Sequence, residues 1–263
     1  MVDLHSHILP GLDDGAATIE QSLDLARVAE AAGIDTIVAT PHIRDDHAFP
    51  LDLIEDRLGT LRAALREAQI AVQVVRGGEV SLSKLTELDD ETLASLCIGE
   101  GPYLLVESPY TQAPSLLETV LFDLQVRGFR PVLAHPERSM TFLHDRARLE
   151  RLVEEGVVCS VTAMSLTGGF GTAIRGYTLR LFTAGLVHSI ASDAHDATRR
   201  APGFQGALAV LESELDGAPG AAGWFTEETG RAIVEGRDLP AGPPILLPRP
   251  TGWKRMKERV GLA

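Results

Sequence analysis

Short runs of β-branched residues alternate along this chain with segments whose apolar residues recur at helical spacing. The alternation repeats about seven times, which is typical of strands in a parallel sheet that is covered by helices on both faces. Seven or eight such units usually close into a barrel. The pattern therefore predicts an α/β barrel whose strands lie at residues 2–7, 36–42, 72–80, 103–108, 130–135, 157–164 and 187–195.

The first predicted helix carries the clearest signals at its two ends. Thr18 begins a capping box with Gln21, and Gly33 stands where the helix should stop. The length of 263 residues suits one barrel, and we expect a single domain over residues 1–240. Residues 241–263 begin with the proline-rich AGPPILLPRP and continue into the basic GWKRMKERV. We expect this C-terminal tail to pack outside the barrel or to be mobile.

Ionisable side chains fall at the ends of the predicted strands. The carboxyl ends of all strands in a parallel barrel meet at one rim, and a His-x-His or Asp-x-His pair points two side chains into one space. With one aspartate from the loop after the first strand, nine nitrogen and oxygen donors converge: His5, His7, Asp14, His42, Glu79, Glu107, His135, Asp193 and His195. One such side chain alone is more often structural, but so many buried ionisable groups need compensation, which metal cations supply. The sequence predicts a multinuclear metal site.

Other polar residues near this rim carry a weaker signal. His144 precedes a predicted helix and His188 begins a strand at the opposite rim, so we expect a structural or solvated role for both. His47 lies in a loop that overhangs the mouth, and its role stays open. Asp13 and Asp196 are candidate proton carriers because they adjoin predicted ligands.

The sequence lacks the residues that two other enzyme mechanisms require. A cysteine phosphatase needs Cys-x5-Arg, but Tyr103 stands six residues beyond Cys97. Ser165 occupies the same place after Cys159, and both cysteines are expected to be buried small apolar residues. Barrel amidohydrolases often bridge their metals with a carbamylated lysine at a strand end, and none of the three lysines lies at such an end. The bridging candidate is Glu79, because the two glycines before it allow a close approach of the backbone.

The charge of the chain limits its partners. A formal net charge of -13 would repel a nucleic-acid backbone and an anionic membrane surface. No stretch approaches the roughly 18 apolar residues of a membrane span, and the N-terminus does not resemble a signal peptide. We therefore expect a cytoplasmic protein with no nucleic-acid partner and no direct membrane insertion. The two cysteines form no CxxC pair, which suits a reducing compartment.

Six short stretches, taken in order, resemble a known family. They are DLHSHILPGLDDG (3–15), TIVATPH (36–42), GGEV (77–80), LLVES (104–108), PVLAHPER (131–138) and HSIASDAH (188–195). Their order and spacing resemble the PHP (polymerase and histidinol phosphatase) superfamily, and within it the bacterial tyrosine-protein phosphatases of capsule and exopolysaccharide synthesis. The resemblance implies the PHP fold, which is a distorted (β/α)7 TIM-like barrel with a trinuclear metal centre.

The resemblance also implies how the ligands are shared among ions. One ion would take His5, His7, Glu79 and Asp193, a second Glu79, Glu107 and His135, and a third Asp14, His42 and His195. Mixed imidazole and carboxylate ligands suit manganese, iron or zinc better than magnesium alone. We expect two or three divalent ions, of which the resemblance favours manganese, with iron or zinc as alternatives.

Arginines on the predicted rim loops are candidates for binding phosphate. Arg138 follows His135 by three residues and Arg200 follows His195 by five. A guanidinium fork there can grip phosphate oxygens, and the resemblance gives both arginines a catalytic and substrate-binding role. Arg44 and Arg199 are weaker candidates for substrate binding. Each of these arginines could instead be a solvated surface residue.

The resemblance implies hydrolysis of phosphotyrosine on a protein, with the tail of a capsule or exopolysaccharide tyrosine kinase as the expected substrate. A small-molecule phosphatase such as histidinol-phosphatase stays open, because the sequence does not exclude a pocket for an amine. A catalytically silent PHP binding module would have lost ligands, and none is lost. A polymerase-associated nuclease is disfavoured by the acidic charge and by the lack of a polymerase region.

Overall fold

Parallel strands alternate with helices in the computed structural model, which describes residues 1–47, 49–111 and 116–249. The strands are β1 Val2–Ser6, β2 Thr36–Ala39, β3 His42–Ile43, β4 Gln73–Arg76, β5 Glu79–Val80, β6 Tyr103–Glu107, β7 Arg130–Ala134, β8 Val158–Thr162, β9 Ser189–Ala191, β10 Leu215–Asp216 and β11 Leu247–Pro248. The α-helices are α1 Ile19–Ala31, α2 Asp52–Glu67, α3 Leu82–Glu87, α4 Asp90–Ser95, α5 Leu117–Val126, α6 Met140–His144, α7 Arg146–Glu154, α8 Ala163–Thr167, α9 Thr172–Thr183, α10 Gln205–Glu214, α11 Ala218–Gly223 and α12 Thr229–Val234. Short 3-10 turns lie at Asp45–His47 and Pro136–Arg138, and a π-helical turn at Trp224–Glu228.

The parallel strands form two sheets, in the orders β1-β2-β4 and β3-β5-β6-β7-β8-β9. A parallel bridge between Ser6 and Ala194 joins the first strand to the segment after β9. Because β2 and β3, like β4 and β5, are successive pieces of one strand path, the order around the sheet is that of seven strands. This order confirms the predicted α/β barrel, distorted by the two broken strands.

Both breaks lie where the sequence departs from strand chemistry. Pro41 separates β2 from β3, and proline has no N–H to donate to a neighbouring strand. Gly77 and Gly78 separate β4 from β5, and a Cβ at Gly77 would lie 2.8 Å from Val38 Cγ1. The predicted strands 36–42 and 72–80 are therefore each two shorter strands, bent where the chain passes close to its neighbours.

The last strand of the barrel is shorter than predicted. It was expected over 187–195, whereas β9 ends at Ala191. The reason is Asp3, whose carboxylate accepts from the backbone N of Ser192 at 2.9 Å and from its hydroxyl at 2.5 Å. The backbone N of Ser192 is thus bound by a side chain and not by a neighbouring strand, directly before Asp193.

The apolar side chains divide into two clusters. The larger one packs the helices against the strands. The smaller one gathers residues from β1, β2, β4, β6, β7 and β8 around Ile233 of α12, and includes Val2, Leu4, Val38, Val75, Tyr103, Leu105, Val132 and Val158. Barrel interiors are filled in this way by layers of side chains, so the polar residues are left to the carboxyl ends of the strands.

Helix α1 begins and ends as the sequence predicts. Thr18 Oγ1 accepts from the backbone N of Gln21 at 3.4 Å, while Gln21 Oε1 accepts from the backbone N of Ala17 at 2.7 Å. In a standard capping box the Gln21 side chain would accept from the backbone N of Thr18, so this second hydrogen bond is shifted by one residue. Gly33 follows the helix with a φ of +77°, the left-handed conformation that glycine adopts without strain.

Beyond residue 240 the chain returns to the barrel surface. β11 pairs antiparallel with β10, and Leu246 is buried beside this ribbon. The proposed domain division at residue 240 stays a prediction, and residues 250–263 of the predicted tail lie outside the described residues. No helix in the described ranges is long and apolar enough to cross a membrane.

Candidate metal centre

The strand ends bring all nine predicted donors to one mouth of the barrel. Ligand atoms lie within 4.8 Å of one another in each of four overlapping groups. The groups are His7, Asp14, His42 and His195; His5, His7 and Asp193; His5, Glu79 and His135; and His42, Glu79 and Glu107. Eight of the nine residues are buried, and Asp14 is the exposed one.

Glu79 lies at the centre of these groups. Its Oε2 is 2.8 Å from His42 Nδ1 and 3.3 Å from His5 Nε2, while its Oε1 is 2.8 Å from His135 Nε2. Burial alone would raise the pKa of Glu79, but the charge of His5 and the hydrogen bond from His135 hold it well below its usual range. Gly77 and Gly78 directly precede Glu79, which begins β5, and the bridging role of Glu79 stays a prediction.

The donor set fits divalent cations. Glu79 Oε2 and His42 Nδ1 are buried and lie close together, yet neither has a hydrogen bond of acceptable geometry to any residue that the structure describes. Burial lowers the pKa of His7, but hydrogen bonds to Asp13 and Asp193 and the surrounding carboxylate charge raise it to about 10. Buried donors without partners, in a field that attracts positive charge, are what a metal-binding cluster presents.

Asp193 divides its oxygens between histidines and arginines. Its Oδ1 lies 3.4 Å from His7 Nε2 and 3.6 Å from His5 Nε2. Its Oδ2 accepts from Arg138 Nη1 and from Arg200 Nη2, each at 2.6 Å. The two predicted phosphate-binding arginines therefore meet at a predicted metal ligand.

Two of the donors hold backbone conformations that are costly for residues other than glycine. Asp193 has a φ of +53° and His135 a φ of +39°. Such left-handed residues persist where the surroundings over-determine them, and they cluster at functional sites. For Asp193 the backbone N donates to His5 O at 2.9 Å, which ties the residue to β1.

The third group opens toward solvent. Asp14 Oδ1 lies 3.3 Å from His195 Nε2 and 3.5 Å from His42 Nε2, and 53% of the Asp14 side chain is exposed. A cleft of about 470 Å³ adjoins Asp14 and His195, and Arg199 contributes to its wall. Asp196, considered as a proton carrier, accepts instead from the backbone N of Arg199 at 2.6 Å and so shapes this loop.

Glu107 has a partner that the sequence did not indicate. Arg44 Nη1 donates to Glu107 Oε1 at 2.9 Å, and Arg44 also binds both oxygens of Asp46 at 2.7 Å. The guanidinium of Arg44 is thus occupied beside a predicted ligand. The structure groups Glu107 with Glu79 and His42, whereas the resemblance implied Glu107 with Glu79 and His135.

Asp13 is a site residue whose contact was missed. His7 Nδ1 lies 2.6 Å from Asp13 Oδ2, which also accepts from the backbone N of His42 at 3.0 Å. A carboxylate in this place fixes the ring of a ligand histidine and raises its basicity. The signal for it was the pair of consecutive aspartates, Asp13 and Asp14, directly after the His-x-His strand.

The remaining histidines and the cysteines lie as follows. The His47 ring stacks on that of His42 with centroids 5.4 Å apart, so it reaches the mouth. His144 donates from Nδ1 to Met140 O at 2.6 Å, and His188 Nδ1 accepts from the backbone N of Cys159 at 3.1 Å. Cys97 and Cys159 are buried and free, as predicted, and burial raises the pKa of Cys97 to about 12.

Known proteins resemble both the sequence and the fold. A family model described as capsular polysaccharide synthesis, CpsB/CapC, matches residues 1–222. The tyrosine-protein phosphatase YwqE of Bacillus subtilis (strain 168) is 37% identical over 216 residues, which are 82% of this chain and 85% of that protein. The tyrosine-protein phosphatase CpsB of Streptococcus pneumoniae is 26% identical over 243 residues, which are 89% of this chain and 99% of that protein.

One solved structure is similar along nearly the whole chain. It comes from work on the crystal structures of YwqE from Bacillus subtilis and CpsB from Streptococcus pneumoniae, described there as unique metal-dependent tyrosine phosphatases. It superimposes with a TM-score of 0.83 at 32% identity, covering 95% of this chain and 100% of that one. This likeness confirms the predicted PHP-type barrel.

Proposed function

The chain belongs to the CpsB/CapC family of capsular polysaccharide synthesis, and from this premise we propose that it is a metal-dependent protein-tyrosine phosphatase. The observation that carries the proposal is the convergence of the nine donors with Arg138 and Arg200 at one barrel mouth. Its relatives YwqE and CpsB are named tyrosine-protein phosphatases.

The nine donors would hold two or three divalent cations, with manganese as our first choice and iron or zinc as alternatives. The mixture of imidazole nitrogens and carboxylate oxygens supports this choice over magnesium alone. When bound, such ions supply concentrated positive charge beside the phosphoryl group and make nearby water more acidic. Glu79 Oε2 has no hydrogen bond to a described residue, which supports Glu79 as the carboxylate that two ions would share.

Arg138 and Arg200 would bind the phosphoryl oxygens. Both guanidinium groups converge on the single atom Asp193 Oδ2, so each retains further N–H donors for a phosphate. The side chain of Arg138 is 13% exposed and that of Arg200 29% exposed, and partial burial strengthens their interaction with an anion. Arg44 is a weaker candidate, because Glu107 and Asp46 already bind its fork.

Departure of the leaving group requires little acid catalysis from the protein. A tyrosine phenolate has a pKa of about 10, so it departs from phosphorus without a strong general acid. Asp13 is hydrogen-bonded to His7, and Asp196 to the backbone of its own loop. We therefore assign neither carboxylate to proton transfer.

We further propose that the substrate is the phosphorylated tail of a capsule or exopolysaccharide tyrosine kinase, and that the enzyme acts in the cytoplasm. Membership of a capsular polysaccharide synthesis family supports the first proposal. The two free buried cysteines are compatible with a reducing compartment, which supports the second.

A panel of three substrates tests the proposed activity. The manganese-loaded protein should hydrolyse a phosphotyrosyl peptide and should act poorly on histidinol phosphate and not on single-stranded DNA. The His144→Ala variant is a matched control, because His144 is an exposed histidine outside the nine donors. Preference for histidinol phosphate would replace the proposal with a small-molecule phosphatase, and inactivity on all three would favour a silent binding module.

A further inference from the structure

Two aromatic rings flank the guanidinium of Arg138. Its Cζ lies 4.2 Å from the centroid of Phe170 and 4.8 Å from the centroid of Tyr110. Arg138 Nη2 also donates to the Tyr110 hydroxyl at 2.8 Å. Both distances to the rings are within the range of a cation–π contact.

The loop that presents Phe170 is built from glycines. Gly168 and Gly171 have φ values of +87° and +94°, and a Cβ on Gly169 would lie 2.2 Å from Met164 Cγ. The turn is closed by Gly171 N donating to Gly168 O at 2.9 Å. Phe170 is half-buried and belongs to neither apolar cluster of the core, so packing of the fold does not account for its place.

Tyr110 is held in place by contacts with His135 and Met140. Its ring stacks on that of His135 with centroids 5.1 Å apart and planes 10° apart, and its carbonyl accepts from Met140 N at 3.3 Å. Even so, 41% of Tyr110 is exposed. An ordered aromatic side chain that remains open to solvent beside a phosphate-binding arginine is free to contact a ligand.

We infer that Tyr110 and Phe170 form an aromatic wall that receives the phenyl ring of the substrate and selects aryl over alkyl phosphates. This inference rests on the proposed function. The ring of phosphotyrosine is joined to phosphorus through one oxygen, so a phosphate held by Arg138 brings that ring beside the two side chains that flank Arg138. Aromatic pairs gain energy from offset or edge-to-face contact beyond the area they bury.

A competing role has a different signature. If the two rings only held Arg138 in place, their loss would weaken binding of every phosphate-like ligand equally. If they contact the substrate, their loss weakens only ligands that carry an aryl group. Two phosphonates that cannot be hydrolysed, phenylphosphonate and methylphosphonate, separate these roles without involving the leaving group.

The test measures the Kd of each phosphonate for the manganese-loaded enzyme by calorimetry. Phe170→Ala and Tyr110→Ala should each raise the Kd of phenylphosphonate about three- to tenfold and leave that of methylphosphonate within about twofold. Tyr110→Phe keeps the ring and should retain the preference for phenylphosphonate. Phe122→Ala removes a 59% exposed ring on α5 and should change neither Kd.

Equal weakening of both ligands in the alanine variants, or no weakening of either, would overturn the aromatic wall. The same result follows if wild-type enzyme binds the two phosphonates equally. Failure of wild-type enzyme to hydrolyse a phosphotyrosyl peptide, with the preference for phenylphosphonate intact, would instead overturn the proposed function and support the wall.

Discussion

The carboxylate of Asp193 contacts both the predicted metal ligands and the predicted phosphate-binding arginines. Its Oδ1 faces the histidines of β1 and the loop after it, and its Oδ2 accepts from both arginines. The charges of His5 and His7 and the hydrogen bond from His7 outweigh burial and hold the pKa of Asp193 well below its usual range. A single residue thus links the ions that the site would hold to the groups that would hold phosphate.

Removing one donor should remove metal. Asp193→Ala or His42→Ala deletes a predicted metal ligand. Loss of a residue that only hydrogen-bonds a ligand weakens metal affinity by about 10- to 100-fold, so we expect a larger loss for these two variants. The value of kcat should fall for every substrate, whatever its leaving group. Elemental analysis beside steady-state kinetics would measure both, with His144→Ala as the control. Normal metal content in both variants would remove these residues from the centre.

Removing one arginine should affect substrate and not metal. Arg200→Ala should lower kcat/KM on a phosphotyrosyl peptide by a factor that corresponds to about 2–4 kcal/mol of transition-state stabilisation, the usual range for losing one charged partner of a hydrogen-bonded pair. Metal content should stay normal, because Arg138 still neutralises Asp193 Oδ2.

Two variants sharpen this comparison. Arg200→Lys should recover only part of the activity, because an ammonium is a point charge in place of a planar fork. Arg57→Ala removes a partly exposed guanidinium on α2 that pairs with Asp56, and it should leave kcat/KM unchanged. An Arg200→Ala enzyme with wild-type kcat/KM would exclude Arg200 from phosphate binding.

Among the elements, the loop between β1 and α1 leaves no space for a side chain at Gly15. A Cβ on Gly15 would lie 2.1 Å from His7 O and 2.4 Å from His7 Cβ. The same loop carries Asp13 and Asp14, so its path sets the positions of an orienting carboxylate and of a donor. Space at Gly15 is therefore a requirement of the metal centre as well as of the fold.

Two glycine substitutions test this requirement. Gly15→Ala should lower the free energy of unfolding by about 1–3 kcal/mol, which is the usual cost of adding atoms to a site that is already filled. The same substitution should reduce metal content. Gly59→Ala lies in the interior of α2, where no described residue beyond the helix's own backbone comes within 4 Å of the added Cβ, and it should raise the free energy of unfolding by about 0.5–1 kcal/mol. Denaturant unfolding of the chelated proteins would measure both. Equal effects of the two substitutions would contradict the close approach at Gly15.

Apolar periodicity predicts the elements well but not their interruptions. The breaks at Pro41 and at Gly77 depend on single residues and on close neighbours, which a strand pattern does not encode. Convergence of the nine donors was predictable because strand ends of a parallel barrel share a rim. Tyr110 and Phe170 were not predictable as site residues, because loop conformations and tertiary contacts place them. Asp13 was marked by the consecutive aspartates after β1, but its hydrogen bond to His7 depends on the path of the loop.

At the scale of the whole molecule, His188 couples stability to pH away from the metal centre. Its Nδ1 accepts from Cys159 N, so the ring must be unprotonated at that atom. Burial lowers the pKa of His188 from 6.5 to about 4. The unfolded chain therefore binds the proton first as pH falls, and the stability contributed by the neutral ring is complete above pH 6.5 and is lost toward pH 4.

We expect this single group to cost up to roughly 1.4 kcal/mol of stability per pH unit across that interval. Replacing the ring by His188→Gln should lower stability at pH 7 and remove this part of the acid dependence. Urea unfolding of both proteins at several pH values between 7 and 5, each after chelation, would measure the difference. Identical slopes against pH would show that His188 is not the group responsible.

Metal dependence of phosphotyrosine hydrolysis tests the proposed phosphatase activity most directly. Chelation should abolish activity on a phosphotyrosyl peptide, and titration with manganese should restore it as two or three ions bind per chain. The Cys97→Ala/Cys159→Ala double variant should respond in the same way, because both thiols are buried and neither belongs to the four donor groups. Activity that survives complete removal of metal, or that is lost on thiol alkylation instead, would rule out a metal-dependent phosphatase.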